Sequence, residues 1–198
     1  KQPVPIWKWS AAKMPGNSPE SSPPLTPPGK PSIAVLPFDN MSGDPEQEYF
    51  SDGLTEDLIT ALSKSEDLLV IARNSSFAFR GGNVDVQEIG KKLGARYVLE
   101  GSVRKSGNQV RINAQLIDAA TRKHLWAERF DGTLENVFEL QDMLTEQIAG
   151  QVLPKLERTE TERANRLKPD QVNVYDLYLR AVHHYHAFSF DDILAALK

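Results

Sequence analysis

Cysteine is absent from all 198 residues. That removes disulfides, thiolate metal ligands and a cysteine nucleophile, and it leaves the compartment open, since chains without thiols serve in cytosol and periplasm alike. No apolar run approaches the roughly 20 residues that cross a bilayer. Positive charge is in short supply: 23 Lys and Arg face 27 Asp and Glu, a net charge of −4, so no global positive field exists to hold nucleic acid or an anionic membrane. An initiator Met and an apolar leader are also missing at Lys1, and the chain reads as an excised piece of a longer polypeptide, with membrane attachment, if there is any, only through an upstream segment, and with the cytoplasm slightly favoured unless a membrane helix precedes Lys1. What remains is 40% hydrophobic and 25% charged, the composition of one or two modest globular domains.

Proline is scarce except at the start. Nine of the 13 prolines lie within residues 1–31, where no helical or strand period survives, so that stretch reads as a semi-rigid linker. It carries Lys1, Lys8, Lys13 and Lys30 against Glu20, whereas residues 32–154 carry 12 basic and 19 acidic side chains, a net −7. The break marks a domain boundary near Pro31. Trp7, Lys8 and Trp9 have the chemistry of an interfacial anchor, but two tryptophans in a short linker are read as incidental.

Beyond the linker, Ile33 to Phe38 and Leu68 to Ala72 are short continuous apolar runs, the pattern of strands buried on both faces and paired in parallel. Phe50, Leu54, Leu58, Ala61 and Leu62 between them repeat at helical spacing and supply the crossover of a βαβ unit. A second helix is expected after Asp85, with Glu88 completing a capping box, Val84 and Ile89 as a hydrophobic staple, and Gly94 as the stop. From Tyr97 the period becomes two. Tyr97 to Arg104 and Val110 to Leu116 flank the turn Ser106, Gly107 and Asn108, and His124 to Phe130 adds a strand after a turn at Ala119 to Arg122. Thr133 is expected to cap a helix with the stripe Leu134, Val137, Phe138, Leu144, Ile148 and Val152, which Pro154 kinks or ends. The expected fold class is α/β: an α+β mixed sheet, a βαβ unit plus antiparallel hairpin strands with helices packed on it, then the start of a helical hairpin. The expected division is linker 1–31, α/β domain 32–157, charged solvated connector 158–169, and helices 170–198 built on Val174, Leu177, Tyr178, Ala181, Val182 and Tyr185 and on Ile193, Leu194 and Leu197.

The strings Pro31 to Phe38, Asn40 to Phe50 and Asp52-Gly53 resemble the TolB amino-terminal-like domain of multidomain bacterial signalling proteins. Val70 to Phe77, Tyr97 to Arg104, Ala114 to Asp118 and His124 to Asp131 extend the resemblance over roughly residues 31–157. It implies a module lying between a class III adenylate/guanylate cyclase domain, or a winged-helix domain, and carboxy-terminal tetratricopeptide repeats, with wording closest to the cyclase-linked group. Residues 175–198 resemble the opening of such a repeat, truncated against its period of about 34 residues. One departure stands out. The family usually has Thr-Gly before the His-Leu-Trp strand, whereas Thr121 here is followed by Arg122 and Lys123.

Candidate chemistry is thin. His124 has no G-x-S-x-G serine nearby, and Arg80-Gly81-Gly82-Asn83 fits neither phosphate-binding glycine pattern. His183, His184 and His186 lack an ordered fourth ligand for zinc and are read as packing or solvent-facing; no metal or other cofactor is expected. Asp44, Glu46 and Glu48 are read as favouring the positive end of a helix that starts near Ser51. The basic residues Lys91, Lys92, Arg96, Arg104, Lys105 and Arg111 lack interleaved aromatics, which argues against nucleic acid. If a small-molecule site exists, it lies where parallel strands end, at Asp39 and Asn40 and at Arg73, Asn74, Ser75 and Ser76. The competing reading is that Asn and Ser satisfy backbone groups there while Phe77 and Phe79 cap the core. The leading expectation is a non-catalytic regulatory or interaction module whose partners are proteins or neighbouring domains of the same chain. The alternatives are a sensor of a small anion or nucleotide and a periplasmic scaffold.

Overall fold

A computed structural model describes residues 29–82 and 84–187. The linker to Pro28, the tryptophans Trp7 and Trp9, and the helix expected at Ile193 lie outside those residues.

The sheet begins with β1 (Ser32–Val35), a strand buried at every position. It pairs in parallel with β3 (Leu69–Val70) on one side and with β4 (Tyr97–Ser106) on the other. Between β1 and β3 runs α1 (Glu46–Leu62), the expected crossover. It starts earlier than Ser51 because Pro45, with its fixed φ, sits at the N-cap and pre-forms the first turn. The short β2 (Asp39–Asn40) pairs in parallel with β4 further along that strand. β4, β5 (Gln109–Asp118) and β6 (Lys123–Thr133) form an antiparallel meander. The order is β3-β1-β4-β5-β6, a mixed sheet of six strands with β2 joined to β4.

One face of the sheet carries the main core. Leu54, Leu58 and Leu62 of α1 and Leu144, Ile148 and Val152 of α4 (Val137–Arg166) close over Val35, Leu99, Ile112 and Leu116, all at 0% exposure. The other face is covered only over β1 and the start of β4, where α3 (Val86–Leu93) packs Ile89 on Leu36, Val98 and Ala119. Asp85 caps α3 by accepting the Gln87 N–H at 2.8 Å, and Gly94 ends it in the left-handed region at φ 66°. Glu88 pairs along the helix with Lys92 at 2.7 Å instead of closing the expected capping box.

Three expectations are corrected. The cap of α4 is Asn136, whose Oδ1 takes the Glu139 N–H, because Thr133 still belongs to β6. Phe138 is 67% exposed, and Leu140 and Gln141 face inward instead. Pro154 does not end the helix, which runs 12 residues further, to Arg166. Pro154 and Gly150, whose carbonyl would have taken the missing N–H, both lie on the exposed side, while Val152, Leu156, Glu160 and Ala164 continue the buried row. Burial of that row outweighs one lost hydrogen bond. Residues 155–166 are therefore helix packed on the domain, not a solvated connector.

After a 3-10 turn at Pro169–Gln171, α5 (Val174–Ala187) packs on α4. Of the apolar stripe read in the sequence, Val174, Leu177, Tyr178 and Tyr185 are exposed and Val182 is half-buried, while Asp176 and Leu179 are buried.

Candidate functional site

The two halves of the sequence-derived site fall in different clefts. Asp39 lies opposite Ser102 in β4 and lines a cleft of about 510 Å³ between the open sheet face and Phe79, Gly81, Gly82 and Val84, shared with Glu100, Asn113 and Arg129. Asn40 is spent on its own turn: its amide donates to the Asp44 carbonyl at 2.7 Å, and its Oδ1 accepts the Ser42 N–H at 3.0 Å.

Arg73 to Ser76 follow the end of β3 and form a helical turn, α2 (Arg73–Phe77). Arg73 Nε lies 3.1 Å from Glu56 of α1, and its guanidinium sits 4.0 Å from the centre of the Phe77 ring. Arg80 approaches the same ring at 5.1 Å and bonds Asp52 at 2.5 Å and Glu48. The turn is thus clamped to α1 by two arginines. Asn74 and Ser75 are exposed and Ser76 is buried, its hydroxyl without a hydrogen-bond partner among the described residues. The cleft that Arg73 borders, about 540 Å³, is rimmed by Asp52, Glu56, Asp57 and Asp142. Burial, with Asp142 and then Glu56 nearby, raises the Asp57 carboxyl above its usual range.

The basic residues singled out in the sequence are dispersed and largely neutralised. Lys92 meets Glu88, Lys105 meets Asp44 at 3.0 Å, and Arg111 meets Asp131 at 2.7 Å. His183 and His124 are exposed. Among the described residues no three His, Asp or Glu side chains are placed to hold a metal ion, and no helix is long and apolar enough to cross a membrane.

A network of charged side chains around a fully buried carboxylate lies elsewhere. Glu160, at 0% exposure, takes Arg96 at 2.6 Å, the Tyr97 hydroxyl at 2.5 Å and Arg163 at 2.8 Å. Arg163 also reaches Asp176 of α5 at 2.5 Å. Burial, then the charge of Glu160, pushes the Tyr97 phenol well up. Asp176 and Asn173 cap each other's backbone N–H groups at 3.1 and 2.9 Å, and Arg180 closes the end of α4 on the carbonyls of Ala164 and Leu167. The sequence signal was present: Leu144, Ile148, Val152, Leu156, Glu160 and Ala164 form one unbroken i,i+4 row. Breaking the helix at Pro154 hid it.

Residues 29–147, more than half of the chain, match the family described as HilA/YgeH-like transcriptional regulator, second domain. The chain belongs to this family. This HilA/YgeH-like second domain is also 53% identical over 184 residues to a protein named putative adenylate cyclase 3 from Rhizobium meliloti, covering 91% of the chain but only 31% of that relative. The cyclase-associated kind implied by the sequence resemblance is thereby met. Solved structures similar over part of the chain include a lipoprotein from Neisseria meningitidis (22% identity, 62% of this chain and 96% of that one, TM-score 0.46). TolB from Acinetobacter baumannii is another (18%, 60% and 27%, TM-score 0.40), as is the LpoB C-terminal domain from Escherichia coli (18%, 52% and 82%, TM-score 0.41).

Proposed function

We propose that the chain is a non-catalytic regulatory or protein-interaction module of a multidomain bacterial signalling protein of the adenylate cyclase kind, with catalysis located elsewhere on the polypeptide. The observation that carries this is the 53% identity to a protein bearing a cyclase name, of which the chain makes up under a third. The chemistry agrees. Cyclisation of a nucleoside triphosphate needs carboxylates that hold metal beside donors that hold phosphate. Here Arg73, Arg96, Lys105 and Arg111 are each engaged by a carboxylate of the chain itself. The partners are neighbouring domains of the same polypeptide or other proteins. Residues 170–198 are the opening of a tetratricopeptide-like region, and the exposed Val174, Leu177 and Tyr178 form the face on which its next helix would pack.

The test compares cyclic nucleotide production by the full-length protein, by the same protein lacking residues 32–157, and by the isolated chain. The isolated chain is expected to be inactive, and the deletion to change how the rate is controlled while leaving turnover in place. Measurable turnover by the isolated chain overturns the reading.

The sensor alternative is weaker for a physical reason. An anion or nucleotide beside Arg73 would also face Asp52, Glu56, Asp57 and Asp142, and like charges disfavour it. Thermal melts with phosphate and nucleotides, repeated on Arg73→Ala, check this; stabilisation that depends on Arg73 would reinstate the sensor.

A further inference from the structure

The two edges of the sheet are unequal. At one side β3 is only two residues long, a short edge of the kind that blocks unwanted pairing. At the other, β6 runs 11 residues with no proline and no further strand beside it among the described residues. Its one irregularity, a bulge opposite Leu116 and Ile117, places Leu125 out of register and leaves Trp126 to Thr133 regular.

The ladder phase identifies which groups this edge offers. Ser106 and Gln109 close the two-residue turn Gly107-Asn108, so they exchange hydrogen bonds, and pairs alternate from there. On β5 the even-numbered residues then bond to β6, through Gly132, Phe130, Glu128 and Trp126. The Leu134 N–H bonding the Asn108 carbonyl at 2.9 Å continues the same phase. Ala127, Arg129 and Asp131 therefore direct their N–H and C=O groups to the open edge, and all three are exposed.

We propose that this edge is an interface between two copies of the chain, β6 pairing antiparallel with β6 of the second copy about a two-fold axis at Phe130. Charge selects that register. With Phe130 opposite the partner's Phe130, Arg129 stands opposite the partner's Asp131 and Asp131 opposite the partner's Arg129, two symmetric ion pairs on the open face of the joined sheet, added to the contacts that Asp131 already makes with Arg111 at 2.7 Å and with Arg129 at 3.8 Å in its own copy. Shifting the axis to Arg129 sets arginine against arginine; shifting it to Asp131 or Glu128 sets carboxylate against carboxylate, and directly opposed like charges are unfavourable. An axis at Ala127 would pair Lys123 with Asp131 but must run through the bulge at Leu125. The contact is isologous, as closed dimers require, and small, so association of this chain alone is weak and concentration-dependent.

Sedimentation equilibrium of the 198-residue chain is the test. A reversible monomer–dimer equilibrium is expected, weakened about tenfold or more by Arg129→Asp or by Asp131→Arg, and restored by the double exchange, which recreates both pairs with their signs swapped. Ala127→Pro removes an N–H that no strand of the same copy uses, so it should abolish the dimer while circular dichroism stays that of the wild type. This variant also decides the matter if a charge exchange disturbs the fold through Arg111. A chain that stays monomeric at its highest workable concentration overturns the proposal, including the case where another part of the chain covers β6. A dimer indifferent to Ala127→Pro overturns the edge, and one indifferent to the charge exchanges overturns the register.

Discussion

Arg122 is the one described non-glycine residue with positive φ, at 59°. It stands where the family resemblance expects glycine, so the sequence flagged the position and the backbone explains it: the tight turn from β5 to β6 needs a left-handed residue. The strain is accepted because Asp118 takes the Thr121 N–H and hydroxyl, both at 2.8 Å, while the Arg122 guanidinium bonds Asp85 at 3.0 Å. Arg122→Gly and Arg122→Ala both lose that pair, but only glycine relieves the backbone. Urea unfolding should therefore find the glycine variant about 1 kcal/mol more stable than the alanine one. The link also touches the cap of α3. Arg122, then the Gln87 N–H, hold the Asp85 carboxyl below its usual range, so its contribution is present above the ordinary aspartate range and is lost as pH falls through it. Asp85 was legible as a cap because capping is local. Arg73 was legible only as a polar residue after a strand end, because its partners, Glu56 and the Phe77 ring, become neighbours only once α1 and α2 pack.

Among the elements, α4 shows where reading by pattern stopped and why. Proline is a reliable breaker in an isolated helix, yet here the buried row on either side of Pro154 keeps the chain helical past it. Gly150 lies one turn earlier on the exposed side, and a Cβ added there meets nothing within 4 Å. Gly150→Ala should accordingly raise stability by about 1 kcal/mol, read from the urea midpoint at unchanged slope. Where α1 faces α4, Asp57 sits near Asp142, its carboxyl raised chiefly by burial. A raised carboxyl disfavours the charged form in the folded state, so the penalty operates above its folded pKa and fades as pH drops toward the ordinary aspartate value of about 4. Asp57→Asn should raise Tm at neutral pH, with the gain vanishing in acid; a gain that persists there would show that charge is not its cause.

For the molecule as a whole, the mixed sheet, the βαβ unit and the meander were readable because each is written in a period of two or 3.6. The placement of β2 beside β4, the uncovered half of the second sheet face and the Glu160 cluster depend on contacts between residues more than 60 positions apart, which no local pattern carries. Glu160 joins three parts of the molecule: the start of β4 through Arg96 and Tyr97, α4 itself, and α5 through Arg163 and Asp176. Replacing it by glutamine leaves two arginines, each about 30% exposed, without their shared carboxylate. A cost of about 3 kcal/mol is expected in urea unfolding. Amide exchange should quicken in α5 before it does in α1, since α1 has its own apolar anchorage.

At about 1.5 Å per residue, α4 is a rod of roughly 45 Å, with one end seated on the main core and the other fastened to α5. A force or torque applied to α5 therefore reaches the start of β4 through the relay Asp176–Arg163–Glu160, in parallel with the packing of α4 on the core. The last described helix is thereby coupled to β4, the strand on which β1 and β5 are hung.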